Sequence, residues 1–355
     1  MAIPVIGDKT KNLNPTEDMT RDQLWELERS GRTKREKATD FIVSVLPFAG
    51  LAVSLLEYCL IPNKYPNANP HRYIVFLLIP AAVYLINWII GTIRYTKGNR
   101  QKFAKVRHTA PFLTALYIGM ALFDWATLKT GKLLYPFIPW INDIINAVFI
   151  DYGQLFICTL YSLRLLLLGY LEGSFLGLIT GVACGYSEKV NYWVSPIVKV
   201  LGPIPTATWI PLIMLLASSL DNGAIFIIGL GAWFAVTVAT TTGINNVDRA
   251  YFEAARTLGA SERQLILHIA IPGAMPSILQ GMTQAMSSSC VSLVIAEMMG
   301  VKAGLGWYIT WQKSWAAYNK MFAAIIIICI VFNIVTRIVG MIKNRLLRWQ
   351  IGVTK

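Results

Sequence analysis

Asp248-Arg-Ala-Tyr-Phe-Glu-Ala-Ala-Arg-Thr-Leu-Gly-Ala-Ser-Glu-Arg-Gln-Leu-Ile-Leu-His-Ile-Ala-Ile-Pro272 is a charged, amphipathic island between two long apolar segments. Its punctuation spells two short helices joined by one glycine. Asp248 is placed to cap the first, and Gly259 to close it in the left-handed conformation. Ser261 with Gln264 three residues on opens the second through a capping box. Loops between membrane helices seldom keep such order unless something docks on them. The competing reading is a self-contained amphipathic lid that binds nothing.

The segments on either side make the chain a membrane protein. Hydrophobic residues are 55% of its 355 residues and charged residues 14%, which fits a polytopic membrane protein and excludes an ordinary soluble domain. Eight spans are expected, over about 41–62, 73–94, 109–128, 157–184, 194–217, 223–243, 274–298 and 321–342, so the fold class is all-α. The net charge of +13 is not a nucleic-acid footprint, because no basic patch is interleaved with stacking aromatics. It gathers instead in alternate loops: Lys97, Arg100, Lys102, Lys105 and Arg107; then Arg249, Arg256 and Arg263; and both terminal segments. The positive-inside rule puts these loops, both termini and the 248–272 island in the cytoplasm.

Residues 1–40 form a polar lead with an expected interfacial helix near Thr20–Ser30. Residues 41–128 form a three-helix block. Residues 129–156 are an extracytoplasmic segment whose apolar Ile141–Ile150 reads as a helix lying at the interface. Residues 157–349 hold five spans, with the charged loop 244–273 between the third and the fourth. Cys59, Cys158, Cys184, Cys290 and Cys329 lie in or beside apolar runs without CxxC spacing and read as buried thiols.

Glu253-Ala-Ala255, Gly259, Ile269 and Ile271-Pro272 keep the spacing of the EAA loop that the permeases of ATP-binding-cassette importers carry, with Ile271 where the family usually has Leu. From about Leu134 to Trp349 the chain resembles the nitrate/sulfonate/taurine/bicarbonate branch of these permeases. The matches are Ser162-Leu-x-Arg164, Gly202-Pro-Ile-Pro205 with Ile210-Pro-Leu212, Gly243-Ile-x-x-Val-Asp248, Pro276-Ser-Ile-Leu279, Ile295-Ala-Glu-Met298 and Gly304-Leu-Gly-Trp307. Family members normally have one span before the core; this chain has three. The resemblance implies a five-helix type I importer core. It implies a bacterial cytoplasmic (inner) membrane location and a second permease chain, expected as a homodimer. It also implies a separate ATPase holding ATP and Mg, and an extracytoplasmic solute-binding protein. Tyr251, Glu253, Ala254, Ala255 and Gly259 then become the ATPase-coupling residues, and the cargo a small anion of the sulfonate, nitrate or taurine type.

Other features carry weaker readings. Gly169, Gly173, Gly177, Gly181 and Gly185 make a stripe for close backbone approach, within the subunit or at a seam between two chains. Pro203, Pro205 and Pro211 break a span, and a break at membrane depth lines a cavity or is covered by protein. Thr206, Thr208 and Trp209 on it are path-lining candidates. So are Ser288, Ser292 and Glu297, the last expected near the outer boundary in a solvated or gating position. Arg164 and Glu172 are ionisable groups within a span; Arg164 is a weak anion-site candidate that is also able to snorkel. Trp307, Trp311 and Trp315 read as a membrane-interface anchor, with a docking surface for a binding protein as the rival.

No GxxxxGK[ST] loop, paired histidines or clustered carboxylates appear in the sequence, so neither an ATP site nor catalysis is expected in this chain, and no cofactor of its own. A secondary transporter working without an ATPase is the alternative; it accounts for the spans but not for the EAA spacing.

Overall fold

The computed structural model describes residues 34–96, 101–133 and 135–349; the expected helix near Thr20–Ser30 lies outside them. The described residues are mainly helical, with no strand among them. They fall into two compact units, one reaching to Lys132 and the other holding the remainder together with Asn67–Asn69.

The first unit is three helices, α1 (Lys34–Leu60), α2 (His71–Thr96) and α3 (Gln101–Asp124), the last continuing into a π turn, Trp125–Lys129. Polar atoms staple them at depth. The Ser54 hydroxyl donates to the Tyr117 carbonyl at 2.8 Å, the Tyr84 hydroxyl to that of Ser44 at 2.7 Å, and the Tyr117 hydroxyl to that of Leu77 at 3.1 Å. Such bonds satisfy buried hydroxyls where no water can. Ile42, Val53, Leu56, Ile79, Ile86 and Phe112 stay exposed on the outer faces, as a lipid-facing surface requires.

The second unit runs α4 (Ile141–Ile150), α5 (Tyr152–Tyr186), α6 (Glu188–Leu201), a 3₁₀ turn (Thr206–Trp209) into α7 (Ile210–Leu216), α8 (Leu220–Asn245), α9 (Arg249–Thr257), α10 (Glu262–Met298), α11 (Leu305–Ser314) and α12 (Tyr318–Leu346). Its core lies between α5, α8 and α10, where Leu165, Leu166, Ile227, Ile228, Met286 and Leu293 are buried together. The glycine stripe faces α8 within this chain. A Cβ on Gly173 would stand 2.1 Å from the Gly229 carbonyl oxygen, and one on Gly169 2.7 Å from that of Ile225. The stripe is therefore an intrachain seam.

Among the described residues seven helices are long and apolar enough to cross a membrane: α1, α2, α3 with its π turn, α5, α8, α10 and α12. The expected fifth span is not one rod, because α6 and the Thr206–Leu216 segment meet at 88°. At about 1.5 Å per residue neither arm alone reaches across a hydrocarbon core of about 30 Å. Pro203 and Pro205 remove two backbone donors within three residues, and Pro205 is extended at φ −56°, ψ 130°, which turns the chain.

A second difference concerns the island. Its second helix is not short: it runs unbroken from Glu262 to Met298. Pro272 has no N–H for the His268 carbonyl, and its ring crowds that carbonyl. The π turn over Leu265–Ala270 widens the helix and carries it past the proline. The cysteines differ too. All five are free, but only Cys158, Cys184 and Cys290 are buried; Cys59 and Cys329 are exposed. A membrane helix is apolar on its outward face, so an apolar run does not by itself mean burial in protein.

Candidate functional site

The caps and the glycine turn of the island form as its punctuation predicts. The Asp248 carboxylate accepts from the Ala250 N–H at 2.9 Å and opens α9. Gly259 closes it at φ +83°, its N–H donating to the Arg256 carbonyl at 3.0 Å and the Ala260 N–H to that of Ala255 at 3.0 Å. Nothing lies within 4 Å of a Cβ built on Gly259, so the torsion alone asks for glycine there. The Gln264 side chain then accepts from the Ser261 N–H at 2.7 Å, completing the cap of α10.

Two faces separate along this segment. Inward, Phe252 packs against Ile244, Ala270, Ala274 and Ile278, and Leu265 is fully buried. The Tyr186 hydroxyl donates to Glu262, which also stands 3.7 Å from Arg256. These contacts fix α9 to the ends of α5 and α8 and the root of α10. Outward, Tyr251 is 65% and Leu258 88% exposed, and Glu253 and Ala254 are exposed between them. Ala255 is half-buried beneath. The result is a short, capped helix with a small-residue outer face, mounted on a continuous membrane-length rod.

The path candidates divide. Thr206, Ser288 and Ser292 come together around Gly231. The Thr206 and Ser292 hydroxyls are 2.8 Å apart, and the Ser288 hydroxyl donates to the Gly231 carbonyl at 3.3 Å. A Cβ on Gly231 would approach all three side chains, at 3.2–3.6 Å. Ser289, one residue on, reaches the Ile228 carbonyl at 3.4 Å. Thr208 turns back to the Pro205 carbonyl at 2.7 Å, and Trp209 is half-buried beside it. Arg164 and Glu172 are exposed on α5.

Glu297 is not solvated at a boundary: it is 0% exposed. It accepts from the Ser162 hydroxyl at 2.6 Å and from the Gly306 N–H at 2.8 Å, while Ser162 accepts from the Leu305 N–H at 2.9 Å. A Cβ on Gly304, at φ +130°, would stand 2.3 Å from the Glu297 carboxylate. Three of the separated motifs therefore meet in one clamp, where Ser162 of α5 and Glu297 of α10 cap the start of α11. A carboxylate at a helix N-terminus satisfies donors that have no partner in the helix and meets the positive end of its dipole. Sequence reasoning missed this clamp, and its only signal was a carboxylate within an apolar segment. Trp307, Trp311 and Trp315 form a column on α11, the first two rings stacked 5.6 Å apart.

The sequence profile described as binding-protein-dependent transport system inner membrane component matches residues 173–348. A Methanocaldococcus jannaschii protein named as an ABC transporter permease is 29% identical over 164 residues, 44% of this chain and 61% of its own length. The Bacillus subtilis protein named aliphatic sulfonates transport permease protein SsuC is 33% identical over 198 residues, 56% of this chain and 72% of its own. The nitrate import permease protein NrtB of Synechococcus elongatus is 27% identical over 184 residues, 49% of this chain and 66% of its own. The chain thus spans between 61% and 72% of the length of these relatives.

Proposed function

This chain belongs to the family of binding-protein-dependent transport system inner membrane components, and we propose that it forms the membrane pathway of an ATP-driven importer for a small solute. Membership in that family sets aside the secondary transporter. The chain is a multi-pass transport subunit in which ATP hydrolysis belongs to a partner.

The observation that carries the reading is the outer face of α9. Tyr251, Glu253, Ala254, Ala255 and Gly259 present a rigid knob small enough to enter a groove on an ATPase that holds ATP and Mg. The knob continues through the Gly259 turn into α10, which carries Ser288 and Ser292. A push on α9 is thereby delivered to the hydroxyl cluster with Thr206, the best-supported stretch of the path. A mechanical connection of this kind is what alternation between inward- and outward-facing states needs. A second copy of the chain completes the path, a solute-binding protein delivers cargo on the far side, and the exposed apolar faces contact lipid. The cationic loops support a cytoplasmic position at the inner membrane for both termini and for α9.

The cargo we propose is a small oxyanion of the sulfonate, nitrate or taurine type. Support comes from the names of the relatives and from the Thr206–Ser292 hydroxyl pair, in which one O–H is left over to donate to an anion oxygen.

The test is affinity purification of the intact chain from mild detergent, with and without Glu253→Arg. An ATPase that accompanies the natural chain and is lost, about tenfold or more, from the variant supports docking on α9. An ATPase that stays with the variant moves the docking surface elsewhere. None with either form, in preparations where the chain stays dimeric, overturns the reading.

A further inference from the structure

The first unit contains a set of ionisable side chains outside the path proposed for the second. Glu57 of α1, Tyr73 of α2 and Asp124 of α3 lie within electrostatic reach of one another, with Tyr58 and Lys129 as their other charged or titratable neighbours. The Tyr58 and Tyr73 rings are 4.7 Å apart, and Glu57 shares a cavity wall with Leu122 and Trp125, which flank Asp124. Tyr73 and Asp124 are each 0% exposed. Both carboxylate oxygens of Glu57, both of Asp124 and the Tyr73 hydroxyl are buried without a hydrogen-bond partner.

Lys129 does not supply what they lack. Its ammonium donates to the carbonyls of Tyr58 at 2.7 Å and Ile61 at 2.8 Å and to the Asn63 side chain at 2.7 Å, which uses its three protons. It also stands 5.0 Å over the Tyr58 ring. Two carboxylates against one ammonium leave one negative charge over, among five oxygens with no donor. Buried, uncompensated charge in a membrane segment is among the costliest arrangements a protein can hold, and where it persists it marks a site. The oxygens are hard donors. Among the described residues no three His, Cys, Asp or Glu gather for a transition metal, here or elsewhere. A cavity of about 280 Å³ with apolar walls opens beside Glu57, lined also by Val53, Ile118, Ala121, Leu122 and Trp125.

We propose that this cluster is a membrane-embedded binding site for one further positive charge, a proton or an alkali-metal cation, held by Glu57, Asp124 and the Tyr73 hydroxyl. As a proton, the charge neutralises one of the two carboxylates and leaves the other to balance Lys129. As a cation, it takes the carboxylate and phenol oxygens as ligands. In both cases the unit becomes neutral where the three helices meet.

Carbodiimide labelling tests this on the full-length chain in detergent, independently of transport. Dicyclohexylcarbodiimide partitions into apolar cavities and adds to a carboxylic acid but not to a carboxylate or a cation-bound one. Adducts on the peptides bearing Glu57 and Asp124 are read by mass spectrometry. A bound proton predicts labelling at Glu57 that falls about fivefold or more between about pH 6 and pH 9, whatever the salt. A bound alkali cation predicts saturable protection of similar size when sodium or potassium replaces choline at fixed pH and ionic strength. Either result supports the site, and the two arms identify the charge. Labelling indifferent to both pH and cation overturns it. So does the absence of labelling at every pH when the same peptides label after unfolding.

A second measurement uses Glu57→Gln and Asp124→Asn. The melting temperature of the natural chain rises with whichever charge occupies the site, and each variant loses that dependence. A dependence kept by both overturns the assignment.

Discussion

The buried interior of the second unit and the 248–261 loop are built from the same two devices, a glycine and an acidic cap, put to different uses. In the seam, Gly173 is there because the Gly229 carbonyl leaves no room for a Cβ. In the loop, Gly259 has open space around it and is there for its φ of +83°. Glu297 caps α11 inside the second unit and is fully buried, whereas Asp248 caps α9 at an exposed surface. The buried pair answers to contact and the exposed pair to backbone torsion. Substitutions in the seam should therefore cost stability, and those in the loop coupling.

The largest effect is expected at Gly173→Val. The added carbon would sit on backbone, not on the end of a flexible side chain, so α5 and α8 must part along their length. Overpacking typically costs about 1–3 kcal/mol, and this site lies at or beyond the top of that range. The chain should fail to accumulate in the membrane, as a quantitative blot of membrane fractions would show. Normal accumulation would mean that the seam is loose and that the close approach is not what holds the second unit.

Glu297→Ala ranks next. It leaves the Gly306 N–H and the Ser162 hydroxyl without their acceptor, each a buried group worth about 1–3 kcal/mol when unsatisfied. A loss of about 2–5 kcal/mol, read as a lower melting temperature in detergent, is expected, with Glu297→Gln recovering part of it because one acceptor oxygen stays. If the alanine variant melts with the natural chain but transports poorly, Glu297 belongs with the path and not with the buried caps.

Gly259→Val should divide stability from function most cleanly. A β-branched residue at positive φ costs about 1–3 kcal/mol, taken from an exposed loop and not from the core. Membrane insertion and melting should hold while uptake driven by ATP falls about tenfold or more, the size of a coupling term of roughly 1.4 kcal/mol. Full uptake by this variant would show that the turn does not transmit motion.

Much of this contrast was legible in the sequence, and the divide follows range. The loop could be read because its determinants are local: Asp248, Gly259, Ser261 and Gln264 act within four residues of themselves. The glycine stripe was visible as a spacing, but its partner α8 was not, since a spacing names a helix face and not what covers it. The proline run announced a break without its angle. The Ser162–Glu297 clamp joins residues 135 apart, and the Glu57–Asp124 cluster joins different helices. A single carboxylate in an apolar run looks the same whether it is solvated, capping or part of a site. Only packing separates those cases, and for Glu297 it removed the solvated alternative.

The smallest effect tests the exposed end of the comparison. Asp248→Ala removes the acceptor for the Ala250 N–H, a loss of about 1 kcal/mol at a typical helix N-terminus. Water replaces part of that bond because Asp248 is exposed, so the melting temperature should move little. The same loss falls wholly on α9, whose nine residues are too few for a stable helix without help. Phe252 still anchors it against Ala274 and Ile278, so the helix should fray at its first turn and not detach. Tyr251 sits at that turn and Glu253 just beyond it, and ATPase capture should weaken a few-fold while Asp248→Asn, which keeps the capping oxygen, restores it. Equal capture by both variants would place the grip on Ala254, Ala255 and Leu258, at the end of α9 that Gly259 holds.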